Sequence, residues 1–260
     1  MNLAILQARM SSSRLPGKVL KPIMGRPMML LQIERIRNAS RIDRLVVATS
    51  TDASDDVLVE RCAAQGVECA RGSLDDVLDR FYQVALKFVP AHVIRLTGDC
   101  PLIDPDVLDA VIAFHVDGGF DYTSNALDEI TFPNGLDVEV MRFACLERTW
   151  KEARFPSERE HVTPYVYNHR GLFHLGCYSG EPNLSNLRWT VDEPEDLEFV
   201  RRIYEALYPI NPTFRTRDIL ALLEREPALG SINSRFERNE GMKKSLVKDR
   251  EFLAAEARRD

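Results

Sequence analysis

Arg9, Ser12, Arg14 and Lys18 crowd into the stretch QARMSSSRLPGK near the start of the chain, with Lys21 just beyond. Small residues let backbone N–H groups close on an oxyanion, serine hydroxyls add donors, and fixed cations neutralise the charge. A polyphosphate suits such a loop better than a lone carboxylate, although the same residues also suit a solvated turn. Two carboxylates stand elsewhere at the ends of apolar runs, Asp99 after HVIRLTG and Asp192 after LRWTV. Each could be a turn cap, or a hard oxygen ligand at the edge where open α/β sheets bind ligands. Together with the basic serine loop, the pair supplies the ingredients of a magnesium–nucleotide site.

Alternating elements position these groups. Residues 3–6 form an apolar run of buried-strand length, and the spacing of Met28, Leu31 and Ile36 predicts a helix over 28–38. Residues 44–50 (RLVVATS) read as a β-branched strand. An acid-led helix over 55–65 follows, closed by Gly66, and then a short strand over 67–70. Strands alternating with helices predict a parallel sheet with right-handed crossovers. Ser73 or Asp75 is expected to cap a helix over 76–88 whose apolar face leaves Asp79 and Arg80 outside.

Farther on, residues 132–140 (FPNGLDVEV) predict a turn and an alternating strand with Asp137 and Glu139 on one face. Glu139 is expected to be solvated, and Asp137 is left open. His161 and Tyr165 are polar wall residues if their segment lines a cleft, with Pro164 starting a helix between them. Residues 187–192 predict a strand, and the acids at 193–196 open a helix to about residue 207. The tail from residue 232 is highly charged, with few apolar anchors.

The composition excludes several classes of protein. A net charge of −6 over 260 residues argues against a nucleic-acid backbone as main partner. Five scattered cysteines without a CxxC pair give neither a disulfide framework nor a thiolate zinc site. No apolar run is long enough to span a membrane, and the start lacks the basic region of a signal peptide, so a cytoplasmic location is expected.

QARMSSSRLPGK resembles the loop that opens the sugar cytidylyltransferases, which make CMP-activated acidic sugars such as 3-deoxy-manno-octulosonate and sialic acid. RLTGDCPLI resembles their metal-aspartate strand, and TVDEPEDLE their second aspartate segment. With RGSLDDVLDRF and FPNGLDVEV, the pattern is most similar to the spore-coat polysaccharide biosynthesis branch. It covers residues 1 to about 207.

The resemblance implies an α/β, Rossmann-like nucleotidyltransferase fold with a mostly parallel central sheet flanked by helices. That domain would occupy residues 1–208, with 125–180 on the acceptor side and as a candidate dimerisation region, and 209–260 as a charged helical extension. It implies transfer of a cytidylyl group from CTP to a small sugar-like acceptor, with release of pyrophosphate, and a possible homodimer. By position, Arg9, Ser12, Arg14 and Lys18 would hold the triphosphate, with Arg71 and Ser73 beside the nucleotide. Asp99 and Asp192 would hold Mg2+, and Arg80, Asp137, His161 and Tyr165 would face the acceptor.

The chain has Thr97-Gly98-Asp99-Cys100-Pro101 where the octulosonate enzymes usually have Gln-Gly-Asp-Glu-Pro, which leaves the acceptor open. Two rival readings are a glycosyltransferase consuming a nucleotide sugar and a noncatalytic nucleotide-binding subunit. The first is disfavoured because Asp99-Cys100-Pro101 lacks the second acid of an Asp-x-Asp motif.

Overall fold

The computed structural model describes residues 1–236, 238 and 240–256, with only the backbone of 240–244 and 255–256. The chain opens with β1 (Asn2–Gln7), a short hairpin of β2 (Pro22–Ile23) and β3 (Arg26–Pro27), then α1 (Met28–Ile36) and β4 (Arg44–Ser50). The alternation continues through α2 (Asp56–Ala64), β5 (Glu68–Gly72), α3 (Val77–Phe88) and β6 (His92–Thr97). The second half adds α4 (Pro105–Asp117), β7 (Tyr122–Ser124), β8 (Glu139–Arg142), α5 (Phe143–Glu152), α6 (Pro156–His161), α7 (Pro164–Asn168) and β9 (Leu175–Cys177). Helices α8 (Pro194–Leu207), α9 (Thr216–Arg225), α10 (Pro227–Gly230) and α11 (Glu240–Glu256) follow.

One seven-stranded sheet in the order β5-β4-β1-β6-β8-β7-β9 carries the fold, and it is parallel except where β8 runs against β6 and β7. The expected parallel core is therefore β5-β4-β1-β6. Its central strand β1 is apolar on both faces because helices cover both. Leu3 and Ile5 pack with Val77 and Phe81 of α3, while Ala4 and Leu6 pack with Met29 and Ile33 of α1. A third cluster joins Leu15 of the basic loop to Trp189, Val191 and the α8 side chains Phe199, Val200 and Ile203. No helix among the described residues is long and apolar enough to cross a membrane.

Two close approaches bring distant loops together. The Gly98 N–H donates to the Gln7 carbonyl at 2.7 Å. A Cβ at Gly98 would stand 2.9 Å from that same oxygen, so only glycine lets the ends of β1 and β6 meet this closely. Gly135, at φ +112°, makes room for the segment before Asp192, where a Cβ would stand 2.5 Å from the Thr190 nitrogen.

That segment corrects an expectation: residues 187–192 are extended but lie outside the sheet. They are held by one bridge between Asn134 and Arg188, which includes Trp189 N–H to the Asn134 carbonyl at 2.6 Å, and by Val191 N–H to the Asp99 carbonyl at 2.7 Å. The apolar run packs on α8 rather than beside another strand. Within residues 132–140 only Glu139 and Val140 enter β8, the earlier part being a loop. The cap of α3 is Asp76, whose side chain accepts from Asp79 N–H at 2.9 Å, while Ser73 Oγ accepts from Asp76 N–H at 3.0 Å. Arg80 is fully buried rather than outside the packed face.

On the same sheet, His115 of α4 lies fully buried, with Nδ1 2.9 Å from Thr123 Oγ1 and Nε2 3.1 Å from His92 Nδ1. Burial, with the neighbouring His92, pushes the His115 pKa down to about 4, and burial lowers His92 as well. The unfolded chain therefore takes up these protons first as the solution is acidified. Stability is expected to fall by about 2–3 kcal/mol between pH 6.5 and 4 from His115 alone. Urea unfolding across that range checks this, and His115→Gln should flatten the curve.

Candidate active site

The basic loop, the turn after β6 and the end of the 187–192 segment enclose a polar chamber of about 440 Å³ at the C-terminal edge of the parallel strands. Arg9, Ser12, Arg14 and Lys18 line one side, with Gly98, Asp99 and Asp192 beside them. Arg95 of β6, Glu160 and His161 of α6, and Ser245 and Lys248 of α11 complete the wall.

Lys18 is the hinge of the charge arrangement. Its Nζ donates to Asp99 Oδ2, to Asp192 Oδ1 and to the Val191 carbonyl, each at 2.9 Å. Burial alone would lower the ammonium's pKa, but the two carboxylates outweigh burial and raise it. Burial would likewise favour a neutral Asp99, yet Lys18 and hydrogen bonds hold its carboxyl far below the usual range. Arg14 adds ion pairs to Asp192 at 2.8 Å and Glu193 at 3.5 Å.

Asp192 is placed by groups that sequence reasoning missed. Arg188 forms a two-pronged bond to fully buried Asp196, with Nε to Oδ1 and Nη2 to Oδ2 both at 2.8 Å, and Nη2 stands 3.4 Å from Asp192 Oδ2. Asp196 Oδ2 also accepts from the backbone N–H groups of Asp192 and Glu193, each at 2.9 Å. Asn233 Nδ2 donates to Asp196 Oδ1 at 2.9 Å. The signal in the sequence was an acid three residues after Glu193 at a helix start, which suits a reciprocal cap.

The carboxylates fit a divalent cation. Three oxygens, from Asp99, Asp192 and Val191, already converge on one cationic nitrogen, and hard oxygens are the donors that Mg2+ prefers. Among the described residues no group of three or more His, Cys, Asp or Glu side chains forms a cation site. A two-carboxylate site completed by substrate phosphates and water is the usual magnesium arrangement.

The floor of the chamber on the α6 side is an ion pair. Arg95 bonds Glu139, which also accepts from Tyr122 Oη and Thr163 Oγ1, each at 2.6 Å. Burial would raise the Glu139 pKa, but Arg95 and these donors hold it low, so the expectation of a solvated Glu139 is corrected. His161 Nε2 lies 2.8 Å from Ser245 Oγ, and burial, reinforced by Arg95, lowers its pKa. Ser245 Oγ also donates to Glu160 at 3.0 Å, and Lys248 pairs with the same carboxylate at 3.0 Å.

The remaining candidates do not line this chamber. Arg71 fastens residues 50–56 through the Ser50 carbonyl at 2.8 Å and Asp56 at 2.6 Å. Ser73 serves the start of α3. Asp137 faces Arg238 at 3.1 Å, and burial raises its pKa. Tyr165 donates to Glu152 at 2.5 Å and stacks on His169. Arg80 is buried with all three guanidinium nitrogens unpartnered, and burial with nearby Arg9 lowers its pKa to about 10.

A family profile described as cytidylyltransferase matches residues 3–217. The chain belongs to the cytidylyltransferase family. This cytidylyltransferase is 36% identical over 237 residues to the spore coat polysaccharide biosynthesis protein SpsF of Bacillus subtilis, covering 86% of this chain and 95% of that protein. It is 32% identical over 252 residues to 3-deoxy-manno-octulosonate cytidylyltransferase of Pseudomonas syringae pv. tomato, covering 78% and 97% of the two chains. A solved cytidylyltransferase from Leptospira borgpetersenii superposes with a TM-score of 0.84 at 30% identity, covering 91% of this chain and 99% of that one. The chamber lies within the matched residues except for Ser245 and Lys248 of α11.

Removing one partner of the buried pair tests its role in holding Asp192. Asp196→Ala leaves Arg188 buried without its main counter-charge and should cost about 3–5 kcal/mol of unfolding free energy in urea. A loss below about 1 kcal/mol would show that the pair is dispensable.

Proposed function

We propose that this cytidylyltransferase transfers the cytidylyl group of CTP to a hydroxyl of a sugar or acidic sugar used in surface polysaccharide, with Mg2+ held between Asp99 and Asp192. The oxygen cradle around Lys18 Nζ, set beside the Arg9-to-Lys18 loop, is the observation that carries this reading. The relationship to SpsF supports the polysaccharide role, and the octulosonate relative supports CTP with an acidic sugar.

In the reaction the acceptor hydroxyl oxygen forms a bond to the α-phosphorus as the bond from that phosphorus to the bridging oxygen of the β-phosphate breaks; pyrophosphate departs and the hydroxyl proton passes to solvent. Arg9, Arg14 and Lys18 bind and neutralise the triphosphate, and Ser12 adds a donor. When bound, Mg2+ would offset negative charge at the reacting phosphate. Positioning and electrostatics carry such transfers, with little covalent work for the protein. An in-line attack requires the acceptor to enter opposite the departing phosphates. Arg95, Glu160, His161, Ser245 and Lys248 supply the donors and acceptors of that side, a mixture suited to a polyhydroxylated molecule.

Incubation with each nucleoside triphosphate, Mg2+ and a panel of neutral and acidic sugars, read by pyrophosphate release, should give release with CTP in the presence of an acceptor. Transfer or hydrolysis from a nucleotide sugar, with no release from any triphosphate, would sink the proposal. Asp99→Asn should lower turnover at least about 100-fold, because a neutral amide is a weak magnesium ligand. Its near-ultraviolet circular dichroism should match the parent, and near-normal activity would remove Asp99 from the metal site.

A further inference from the structure

In the free protein the place between the two carboxylates is already filled by a cation, the Lys18 ammonium, 2.9 Å from Asp99 Oδ2, Asp192 Oδ1 and the Val191 carbonyl. The second carboxylate oxygens face other groups, Asp99 Oδ1 the Cys100 thiol at 3.5 Å and Asp192 Oδ2 the Arg188 guanidinium at 3.4 Å, so a divalent ion bound between Asp99 and Asp192 competes with Lys18 for the oxygens the ammonium holds. We propose that the site takes its divalent cation only as part of a cation–triphosphate complex, with Lys18 keeping the cation's place in the free protein and moving to the phosphates as the complex enters.

This inference rests on the reading of the chamber as a nucleotide site, and three features carry it. A cation arriving alone must expel Lys18 from its carboxylates toward Arg9 and Arg14, where the nearby carboxylate Glu193 is already paired with Arg14. That displacement strands an ammonium in a chamber already rich in guanidinium groups. A triphosphate arriving alone meets two carboxylates and a lysine whose charge is committed to them. The complex brings both halves at once: its metal replaces the ammonium, and its phosphates accept it. Four rotatable bonds separate the ammonium from the chain, so its charge can change place by side-chain rotation. By linkage, the triphosphate must then raise the affinity for the cation, and the cation that for the triphosphate.

The test titrates the protein with Mn2+ in the absence of nucleotide, reading the free aquo ion by electron paramagnetic resonance. Lys18→Met keeps the apolar stem and removes the charge. It should bind Mn2+ at least about tenfold more tightly than the parent, although Arg14 still holds Asp192. Thermal unfolding gives a second readout, in which Mn2+ should raise the midpoint of the variant and leave the parent nearly unchanged.

The double variant Lys18→Met, Asp99→Asn should lose the gain, which assigns it to this carboxylate pair. Adding CTP should raise the parent's Mn2+ affinity more than that of Lys18→Met. Equal or weaker Mn2+ binding by Lys18→Met, or a gain that survives in the double variant, overturns the inference. Failure of the parent to bind CTP with Mn2+ counts instead against the cytidylyl reading, and the nucleotide-free comparison is read independently of it.

Discussion

Two carboxylates of like charge, Asp99 and Asp192, are brought within reach of one ammonium in a half-buried chamber, and their repulsion must be offset for the surrounding segments to pack. Lys18 does most of this, with Arg14 and Arg188 joining on Asp192. The basic loop is therefore a structural partner of the acidic pair as well as a ligand-binding surface. Its path follows from that double duty, since Leu15 is sunk in the same apolar cluster as Trp189 and Val191. The charges and the core thus hold the same two segments together, one by attraction and one by burial.

The opposite wall is balanced differently. Arg95 is committed to Glu139, and Lys248 to Glu160, so these cations are paired in the free protein. Arg9 has no ion pair or hydrogen bond from its side chain among the described residues, while it stands near the equally unpaired Arg80. The positive field of the chamber is concentrated toward the basic loop, where a polyanion would settle. Helix α11 is fastened across the other side, Asp249 accepting from Ser157 N–H at 2.8 Å and from its hydroxyl at 2.5 Å.

Much of this was legible in the sequence because it is local. The apolar run of β1, the helix of residues 77–88 and the loop chemistry from Arg9 to Lys18 are all set by neighbours in the chain. The partnership of Asp99 and Asp192 was suggested by their shared place at the ends of apolar runs, and the resemblance in the two aspartate segments reinforced it. What stayed hidden depends on contacts between remote residues. Glu139 looked solvated because its strand alternates, but Arg95, Tyr122 and Thr163 close over it from other elements. The run at 187–192 has strand composition, yet β6, beside whose end it lies, is already flanked by β1 and β8, and the segment packs on α8 instead. Ser245 and Lys248 gave no signal, since a charged tail reads the same whether it docks or not.

The ion pair between Lys18 and Asp192 spans 174 residues of sequence. A ribosome adding about 5–20 residues per second makes the cationic loop roughly 9–35 s before the aspartate that completes its neutralisation. The later-made part of the chain thus supplies the carboxylate that completes the loop's charge balance, and the order of synthesis sets the order in which these charges can be satisfied.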